Sequence, residues 1–392
     1  MSVRIARLEE VCEINPRTPK SINDDTPVSF LPMSAVSEDG YVAFEEPRTY
    51  REVKKGYTYF ERGDVLVAKI TPCFENGKAA STGTIQNQLG FGSTEFHVLR
   101  PSSDLDPKYA FYLLWSERFR TIGEKGMTGS AGQKRVPADL LRRLEIPLPP
   151  LDEQKRIAAI LDKADQLRQK RRQAIALLDS LTQSIFLEMF GDPVTNPKGW
   201  PIGRIGDLLE STNYGTSGKA GARGTLPILR MGNVTSDGRI DTSDLKYIDL
   251  SSTERPKYTV RRGDLLFNRT NSVDLVGKTA VFELDEEFAF AGYLVRARTN
   301  KKATPEFISS YLNSPFGKAL LRGMAKSIVG MANINAKEMQ GIRIPTPPVD
   351  LQQIFSEKLN QVKKQRQNFL PLDQMGKDLF ASLQHRAFSG QL

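Results

Sequence analysis

The sequence predicts an α+β protein with two similar β-rich domains in tandem, separated by an antiparallel pair of long coiled-coil-like helices. Three observations predict this fold: a segment that occurs twice, a proline-rich box that ends each copy, and helical spacing after each box. The chain has 392 residues, which is enough for more than one hydrophobic core.

The duplication is visible as ordered matches at one period. The box “IPLPPLDEQ” (Ile146 to Gln154) matches “IPTPPVDLQ” (Ile344 to Gln352), which begins 198 residues later. In the same order, “LPMSAVSEDG” matches “LRMGNVTSDG”, and “RGDVLVAKITPCFENGKAA” matches “RGDLLFNRTNSVDLVGKTA”. Several ordered matches at one spacing indicate a tandem duplication.

Each copy opens with alternating apolar runs and turn residues, such as “VLVAKI” and “LLFNRT”, which are typical of short strands. The predicted domain limits are 1–150 for the first β-rich domain, 151–190 for the first long helix, 191–200 for a linker, 201–348 for the second domain, and 349–392 for the second long helix and tail.

The two long helices are predicted from apolar residues at alternating three- and four-residue intervals, the pattern of a coiled-coil seam. The seam residues are Ile157, Ile160, Ala164, Leu167, Ala174, Leu178, Leu181 and Ile185 in the first helix, and Phe355, Leu359, Val362, Phe369, Phe380 and Leu383 in the second. A lone helix with one apolar seam is not stable in water, so we expect the two to pack antiparallel. Pro371 predicts a kink or a break near Asn368.

The box itself predicts a rigid elbow from each domain into its helix. Its prolines stop the preceding strand and hold the chain extended. Asp152 and Asp350 then suit the first turn of a helix, because a carboxylate accepts hydrogen bonds from the free N–H groups there.

Composition favours a polyanionic partner and a cytoplasmic location. The net charge is +9 and the isoelectric point is about 9.3, a balance that favours nucleic acid. The N-terminal “MSVRIARLEE” lacks the apolar core of a signal peptide, and no run of apolar residues is long enough to span a membrane. Two cysteines and two histidines are too few for a disulfide framework or a zinc site.

Motifs for catalysis are missing from the sequence. “GKT” at 277–279 is not a phosphate loop, because Ser272 stands where that motif requires glycine. The amino-methyltransferase tetrapeptide and the dinucleotide-binding glycine pattern do not occur. “RGD” at Arg62 and Arg262 precedes an apolar strand in both copies and is interpreted as a turn. We therefore expect no catalytic residue, no metal site and no cofactor bound by this chain.

The chain resembles the DNA-specificity (S) subunit of Type I restriction–modification systems. The resemblance is carried by a globular domain, the elbow “IPLPPLDEQKRIAAIL”, a helix ending in “FLEMFGDP”, a second domain and helix, and a terminal “HRAFSGQL”. The resemblance covers the whole chain. It implies two target-recognition domains related by a pseudo-twofold axis, each reading one half-site of a bipartite double-stranded DNA target. It also implies that the paired helices dock two methyltransferase (modification) subunits.

The same resemblance implies a role in host defence in which this chain is the non-catalytic specificity subunit. The methyltransferase subunits would bring S-adenosylmethionine and methylate adenine N6, and restriction subunits would bring ATP and Mg for translocation and cleavage. Leu351 and Gln353 stand where the first box has Glu153 and Lys155, so docking at the second helix is expected to differ in detail.

Polar loop residues at equivalent places in the two halves are the predicted DNA contacts. In the first half these are Lys69, Thr71, Asn76, Lys78, Ser93, Thr94, Ser130, Gln133, Lys134 and Arg135. In the second half they are Arg230, Asn233, Asn268, Arg269, Thr270, Asn271, Ser272, Lys278, Tyr293, Asn333 and Asn335. Lysine neutralises phosphate, and asparagine and arginine pair with adenine and guanine edges.

Two alternatives stay open from the sequence. The loops could be solvated hairpins, and the whole chain could be a duplicated scaffold whose helices bridge proteins and whose basic charge is incidental. The basic run from Arg168 to Gln173 is expected to be a solvated helix face rather than a phosphate contact.

Overall fold

The computed structural model describes residues 4–130, 132–328 and 331–392, and the chain divides into two compact units. Unit 1 comprises Met1–Arg172 and Pro371–Leu392, and unit 2 comprises Gln173–Leu370. Both long helices therefore contribute one part to each unit.

The elements of the first half are β1 (Arg4–Arg7), α1 (Leu8–Val11), β2 (Cys12–Ile14), β3 (Pro27–Leu31), β4 (Glu46–Thr49), α2 (Tyr50–Val53), β5 (Thr58–Glu61), β6 (Val65–Ala68), β7 (Ala79–Ser81), β8 (Leu89–Gly92), β9 (Phe96–Pro101), α3 (Pro107–Leu114), α4 (Glu117–Gly126), α5 (Ala138–Arg143), β10 (Glu145–Leu148) and the long helix α6 (Leu151–Phe190).

The elements of the second half are β11 (Ile202–Arg204), β12 (Leu209–Tyr214), β13 (Leu226–Leu229), β14 (Lys246–Ile248), α7 (Arg255–Tyr258), β15 (Thr259–Val260), β16 (Leu265–Asn268), β17 (Thr270–Asn271), β18 (Thr279–Val281), β19 (Phe288–Phe290), β20 (Leu294–Thr299), α8 (Pro305–Asn313), α9 (Pro315–Met324), β21 (Lys326–Ile328), β22 (Met331–Asn333), α10 (Ala336–Gln340), β23 (Arg343–Pro345) and the long helix α11 (Val349–Phe388).

Two four-stranded sheets and one two-stranded pair repeat with the same strand order in both units, and unit 2 also contains the sheet β17-β22-β21. Unit 1 has an antiparallel sheet β2-β9-β6-β7, a sheet β4-β3-β8-β5 in which β3 and β8 are parallel, and the pair β1-β10. Unit 2 has β12-β20-β16-β18, then β14-β13-β19-β15 with β13 and β19 parallel, and the pair β11-β23. The predicted tandem duplication of β-rich domains is confirmed.

Within each unit, the two long helices pack antiparallel. In unit 1, Arg156 donates to the carbonyl of Leu392 at 3.0 Å, and Arg171 donates to the carbonyl of Leu372 at 2.8 Å, so later residues of α6 meet earlier residues of α11.

Unit 2 shows the same direction. Arg366 Nε donates to Asp179 at 2.8 Å, and the rings of Phe190 and Phe355 have centroids 5.2 Å apart. The antiparallel pairing expected from the seam is confirmed inside each unit.

The helices bury themselves against their domains as well as against each other. Ile157, Leu161 and Phe380 belong to the main core of unit 1, and Phe186 and Phe355 belong to the main core of unit 2. Because the domain covers part of each helix, the buried face is wider than a coiled-coil seam and is rotated from it.

The prediction that the seam residues are buried is therefore wrong for two of them. Leu167 is 45% exposed and Leu181 is 41% exposed. The sequence missed Leu161 and Phe186, which are both buried, because their spacing fits packing on a domain and not a two-helix seam.

The expected break near Asn368 is also wrong, because α11 runs without interruption from Val349 to Phe388. Pro371 removes one helical hydrogen bond. It is exposed to solvent, which can replace the lost donor, and the helix continues on both sides.

A buried glutamine locks the first elbow to its domain. Gln154 is in the first turn of α6, and its side-chain oxygen accepts from Asp106 N at 2.8 Å. Its amide nitrogen donates to the carbonyls of Asp104 and Pro149, each at 2.9 Å. One side chain thus joins the loop before α3, the proline box and the helix.

The second elbow repeats this arrangement at residues numbered 198 higher. Gln352 accepts from Thr304 N at 3.0 Å and donates to the carbonyls of Lys302 at 3.2 Å and Pro347 at 2.8 Å. Both glutamines are buried, so their side-chain amides are removed from bulk water.

The two “RGD” segments are turns at strand entry, as interpreted from the sequence. Asp64 is buried and accepts two bonds from Arg100, both at 2.9 Å. Asp264 is equally buried and binds Arg298 at 2.8 and 3.2 Å. These carboxylates hold the framework together and are not accessible to a partner.

Candidate nucleic-acid interface

Three loops meet around Arg269 in unit 2. The residue follows strand β16, and its backbone N–H donates to the carbonyl of Tyr293 at 3.0 Å. Its carbonyl accepts from Ile334 N at 2.9 Å. The backbone thereby joins the predicted groups around 269–272, 293 and 333–335 into one surface, which we call the unit 2 loop surface.

The Arg269 side chain lies across an exposed tyrosine. Its guanidinium carbon is 5.0 Å from the ring centroid of Tyr214, and NH1 donates to the carbonyl of Gly292 at 3.3 Å. Among the described residues, Nε of Arg269 is buried and meets no acceptor. A guanidinium has five N–H donors, and the buried Nε is not open to a ligand. The terminal N–H groups that Gly292 does not use are therefore the candidate donors, and they lie beside the Tyr214 ring.

Two tyrosines border this arginine. Tyr214 is 44% exposed and Tyr293 is 50% exposed, although the hydroxyl of Tyr214 accepts from Ala336 N at 3.1 Å. Exposed aromatic faces beside a cation suit stacking on bases or sugars. Sequence reasoning missed Tyr214, because its segment lies outside the repeated motifs; the only signal was an aromatic residue in the polar run “STNYGTSG”.

The strand that follows Arg269 carries the amide groups. β17 pairs with β22, and Asn333 Nδ2 donates to Thr270 Oγ1 at 3.0 Å. Asn271 is half-buried, and its side-chain oxygen accepts from Ser272 N at 2.9 Å. These groups lie beside Arg269 and are held in place by one another.

Unit 1 builds the same surface from different side chains. Lys69 N donates to the carbonyl of Glu95 at 2.9 Å, and the carbonyl of Lys69 accepts from Val136 N at 2.9 Å. Thr71 N donates to the carbonyl of Lys134 at 3.0 Å. Lys69 thus occupies the backbone position of Arg269, and we call this the unit 1 loop surface.

An ion pair organises the unit 1 loop surface. Arg135 binds Glu95 through two hydrogen bonds, Nε to Oε2 at 3.0 Å and NH2 to Oε1 at 2.9 Å. The guanidinium beside Glu95 lowers the pKa of that carboxyl below its usual range. Ser130, Gln133 and Lys134 are exposed along the same loop.

Both lysines that were predicted to bind phosphate donate hydrogen bonds to backbone carbonyls within their own domains. Lys78 Nζ donates to the carbonyl of Met33 at 3.2 Å, and Lys278 Nζ donates to the carbonyl of Met231 at 3.0 Å. Burial lowers the pKa of Lys278 below its usual value. The repeat of this contact explains why the two lysines match in sequence.

Two predicted asparagines lie inside unit 2. Asn268 is 0% exposed and donates to the carbonyl of Met231 at 3.2 Å. Asn233 is buried; it accepts from Arg230 N at 2.9 Å and donates to the carbonyl of Asp241 at 2.8 Å.

The remaining predicted residues have local partners or are exposed. Arg230 binds Asp244, Asn76 binds Glu38, Asn335 caps α10 through Glu338 N, Ser93 accepts from Glu95 N, and Thr94 and Ser272 are exposed.

The basic run in α6 is not a uniformly solvated face, so that expectation is wrong for Arg168. This residue is buried, and its Nε donates to Asp165 Oδ1 at 2.9 Å. Its guanidinium carbon is 5.2 Å from the ring centroid of Trp115. The domain of unit 1 covers this side of the helix.

Within the part of the chain that the structure describes, no three His, Cys, Asp or Glu side chains converge to hold a metal ion. No described helix is both long enough and apolar enough to cross a membrane.

The chain matches the family model for the Type I restriction modification DNA specificity domain over residues 3–177 and 197–369. It belongs to this family. The two matches coincide with the two copies of the repeat, which gives the family's domain twice in one chain.

Members of this specificity family resemble the chain to different extents. The Type I restriction enzyme EcoAI specificity subunit of Escherichia coli is 44% identical over 185 residues, which is 45% of this chain and 31% of that protein. The EcoKI specificity subunit of E. coli strain K12 is 27% identical over 318 residues, which is 75% of this chain and 68% of that protein. The match to EcoAI, and that to EcoEI, spans about a third of the relative's length.

Solved structures of the specificity family share the fold. The S subunit of a Type I restriction–modification system from M. genitalium has a TM-score of 0.57 at 14% identity, covering 99% of this chain and 96% of that chain. A chain from a study of complex assembly and conformational transition of the type I system has a TM-score of 0.57 at 20% identity, covering 99% and 98%. The α+β fold with two tandem domains is confirmed.

A buried histidine supports the unit 1 loop surface. His97 Nε2 is 2.8 Å from the carbonyl of Val136, and Nδ1 is 3.2 Å from Asn15 Nδ2. The Asn15 oxygen accepts from Val98 N at 3.0 Å, which fixes the amide so that its NH₂ faces the ring. His97 must therefore donate from Nε2 and accept at Nδ1, which is the neutral form.

We predict that acid weakens unit 1 through His97. Burial lowers the pKa of His97 below its ordinary value of about 6.5, so the unfolded chain binds the proton more readily. Stability that is present above about pH 6.5 is then lost as the pH falls toward the folded pKa. Hydrogen exchange at residues 132–136 between pH 7.5 and 5.5 measures this, after correction for intrinsic exchange rates.

The matched control is His97→Gln, whose amide makes both hydrogen bonds and does not titrate. In unit 2, Val295 occupies the position of His97 and does not titrate. Exchange in the loop at 331–335 therefore measures any pH effect that does not come from His97. If both loops lose protection equally, or if His97→Gln keeps the full pH dependence, His97 is not the titrating support.

Proposed function

We propose that the chain is the DNA-specificity subunit of a Type I restriction–modification complex and is not itself catalytic. In this proposal residues 1–150 and 201–348 are recognition domains that each read one half-site of a bipartite DNA target. The observation that carries it is the three-loop surface built twice, with a cationic residue, Lys69 or Arg269, at the same backbone position.

The division between repeated and differing residues supports this reading. Residues that hold each domain together through hydrogen bonds are the same amino acid in both copies, as with Asp64 and Asp264 or Lys78 and Lys278. The loop surfaces differ: Glu95 corresponds to Tyr293, Arg135 to Asn333, and Lys69 to Arg269. Two scaffolds of one kind with different side chains on the same surface suit two half-sites of different sequence.

The chemistry of the surfaces favours DNA among polyanions. Arg269 lies beside the Tyr214 ring, and its terminal N–H groups that Gly292 does not use are suited to the paired acceptors of guanine in the major groove. Lys69 and Lys134 supply charge for phosphates on the unit 1 loop surface. The net charge of +9 adds a sequence-independent attraction.

The proposed DNA contacts are those on the two loop surfaces. They are Lys69, Thr71, Thr94, Ser130, Gln133, Lys134 and Arg135 in unit 1, and Tyr214, Arg269, Thr270, Asn271, Ser272, Tyr293 and Asn333 in unit 2. We propose that Asn76, Lys78, Ser93, Arg230, Asn233, Asn268, Lys278 and Asn335 support the loops through their hydrogen bonds to neighbouring segments instead of contacting DNA.

We predict that Arg269→Ala relaxes recognition of one half-site and leaves the other intact. Loss of a paired contact to a base costs about 1–3 kcal/mol of discrimination at that position. The measurement is the methylation of a randomised target library by the assembled complex, read out base by base. Arg262→Ala is the matched control, because this exposed arginine binds Asp285 away from the loop surface.

Equal loss of preference across both half-sites would contradict the assignment of Arg269. A DNA affinity and salt dependence unchanged by Arg269→Ala and Lys69→Ala together would favour the scaffold alternative, in which the basic charge is incidental.

The helices carry a second feature that suits protein partners. Leu177 and Leu181 are exposed on α6 in unit 2, and Met375 and Leu379, numbered 198 higher, are exposed on α11 in unit 1. Leu177 is 68% exposed and Met375 is 63% exposed. We call these four residues the helix stripe, and we propose that they dock two methyltransferase subunits. Those subunits would supply S-adenosylmethionine, and restriction subunits would supply the ATP-dependent steps.

We predict that Leu177→Asp combined with Met375→Asp abolishes assembly with the methyltransferase without unfolding the chain. A charge on an exposed apolar contact is tolerated in water but is left unpaired in an interface. Co-purification and thermal melting measure the two effects. Val194→Asp is the control, because Val194 is equally exposed in the 191–200 segment. Intact assembly of the double variant would exclude the helix stripe as the docking surface.

A further inference from the structure

Unit 2 contains a cavity that the proposed DNA reading does not use. Its volume is about 210 Å³, and it lies where α8 faces α6 and α11. Leu178, Phe186, Leu359 and Val362 form its apolar wall. Arg366 also lines the cavity, with Nε bound to Asp179 at 2.8 Å.

The duplication identifies the corresponding place in unit 1. Ser116 caps α4 by accepting from Phe119 N, and Ser314 caps α9 in the same way. The residues before these caps are Trp115 and Asn313, which are therefore equivalent.

Two glycines confirm this equivalence in space. A Cβ added at Gly40 would lie 3.0 Å from the ring of Trp115, and one added at Gly238 would lie 2.6 Å from the side-chain nitrogen of Asn313. Both glycines have positive φ, at 86° and 85°. Each unit therefore has the same niche under the same turn.

In unit 1 an indole fills the niche. Trp115 is buried and stacks on Phe111 with ring centroids 5.6 Å apart and an interplanar angle of 15°. The Arg168 guanidinium lies 5.2 Å from the indole, and Phe380 lies 5.6 Å away. The indole N–H donates to the carbonyl of Gly77 at 3.1 Å. This niche is built to hold an aromatic ring.

In unit 2 the aromatic side chains are replaced by small polar ones. Phe111, Tyr112 and Trp115 correspond to Ser309, Ser310 and Asn313. Removing rings from a packed site leaves space wherever the surroundings do not collapse, and here the space remains as the cavity. Arg366, the counterpart of Arg168, is still at its wall.

We propose that this cavity binds a planar aromatic ring of about the size of indole, supplied from outside the chain, in the place that Trp115 takes in unit 1. The volume is sufficient, because an apolar cavity of about 150 Å³ accommodates benzene. The apolar wall contacts the ring face, and the guanidinium of Arg366 adds a cation–π contact. Ser310 and Gln183 at the lining provide acceptors for a ring N–H.

The probe is indole, titrated into the full-length chain and followed by calorimetry and ligand-observed NMR. We expect one saturable site. Asn313→Trp places the unit 1 side chain in the cavity and should weaken indole binding at least tenfold. Asn368→Trp is the matched control, because Asn368 is exposed on α11 outside the cavity, and it should bind indole as the unmodified chain does.

Ser310→Tyr is a second variant for the case in which Asn313→Trp does not fold. It places in the cavity the tyrosine that unit 1 has at Tyr112, and it should also weaken indole binding. The proposal is overturned if indole shows no saturable binding, or if a folded Asn313→Trp or Ser310→Tyr chain binds indole with unchanged affinity.

The same titration on the chain assembled with the proposed methyltransferase partners distinguishes two sources of the ring, and this step alone depends on the proposed function. Loss of indole binding on assembly identifies an aromatic side chain of a partner as the occupant. Retention identifies a free aromatic molecule. Either result keeps the ring site, and the site does not depend on the proposed reading of DNA.

Discussion

The buried glutamine at the start of each long helix is the constraint on which the arrangement of each unit depends. Gln154 and Gln352 each join a domain loop, a proline box and a helix through three hydrogen bonds. A buried amide left unpaired is costly, so the elbow has one satisfied geometry and resists others. Each loop surface is therefore held in a defined position on its own part of the helices, as the proposed role in positioning a DNA-reading surface requires.

The duplication separates what the scaffold needs from what each copy does differently. Both copies share the strand orders, the elbow glutamines and the Asp–Arg pairs, because both must pack the same sheets and helix elbow together. The loop surfaces differ around Lys69 and Arg269, and the niche under the turn is filled by Trp115 in unit 1 and open in unit 2. The differences at the loop surfaces and in this niche are the ones that could change what each copy binds.

Much of the fold was predictable because its signals are local or repeated. Helical spacing, proline boxes and ordered matches gave the α+β class, the tandem domains and the antiparallel helices. The buried face of α6 was not predictable, since it depends on a domain that covers Leu161 and Arg168. Lys78 and Lys278 show a second limit: a repeated polar residue looks the same in sequence whether it supports a loop or faces a ligand. Tyr214 meets Arg269 only through folding, across a separation that no motif spans.

The most direct test of the elbow constraint is amide hydrogen exchange in Gln352→Leu compared with Gln353→Leu. The two glutamines are neighbours, but Gln352 is buried and Gln353 is exposed. The first change removes the partner of Thr304 N and of the Lys302 and Pro347 carbonyls. A group that stays buried, such as the Pro347 carbonyl, then costs about 1–3 kcal/mol, so exchange at residues 302–306 and in the first turns of α11 should rise at least about tenfold. Gln353→Leu should exchange as the unmodified chain does. Equal protection in both variants would contradict the account.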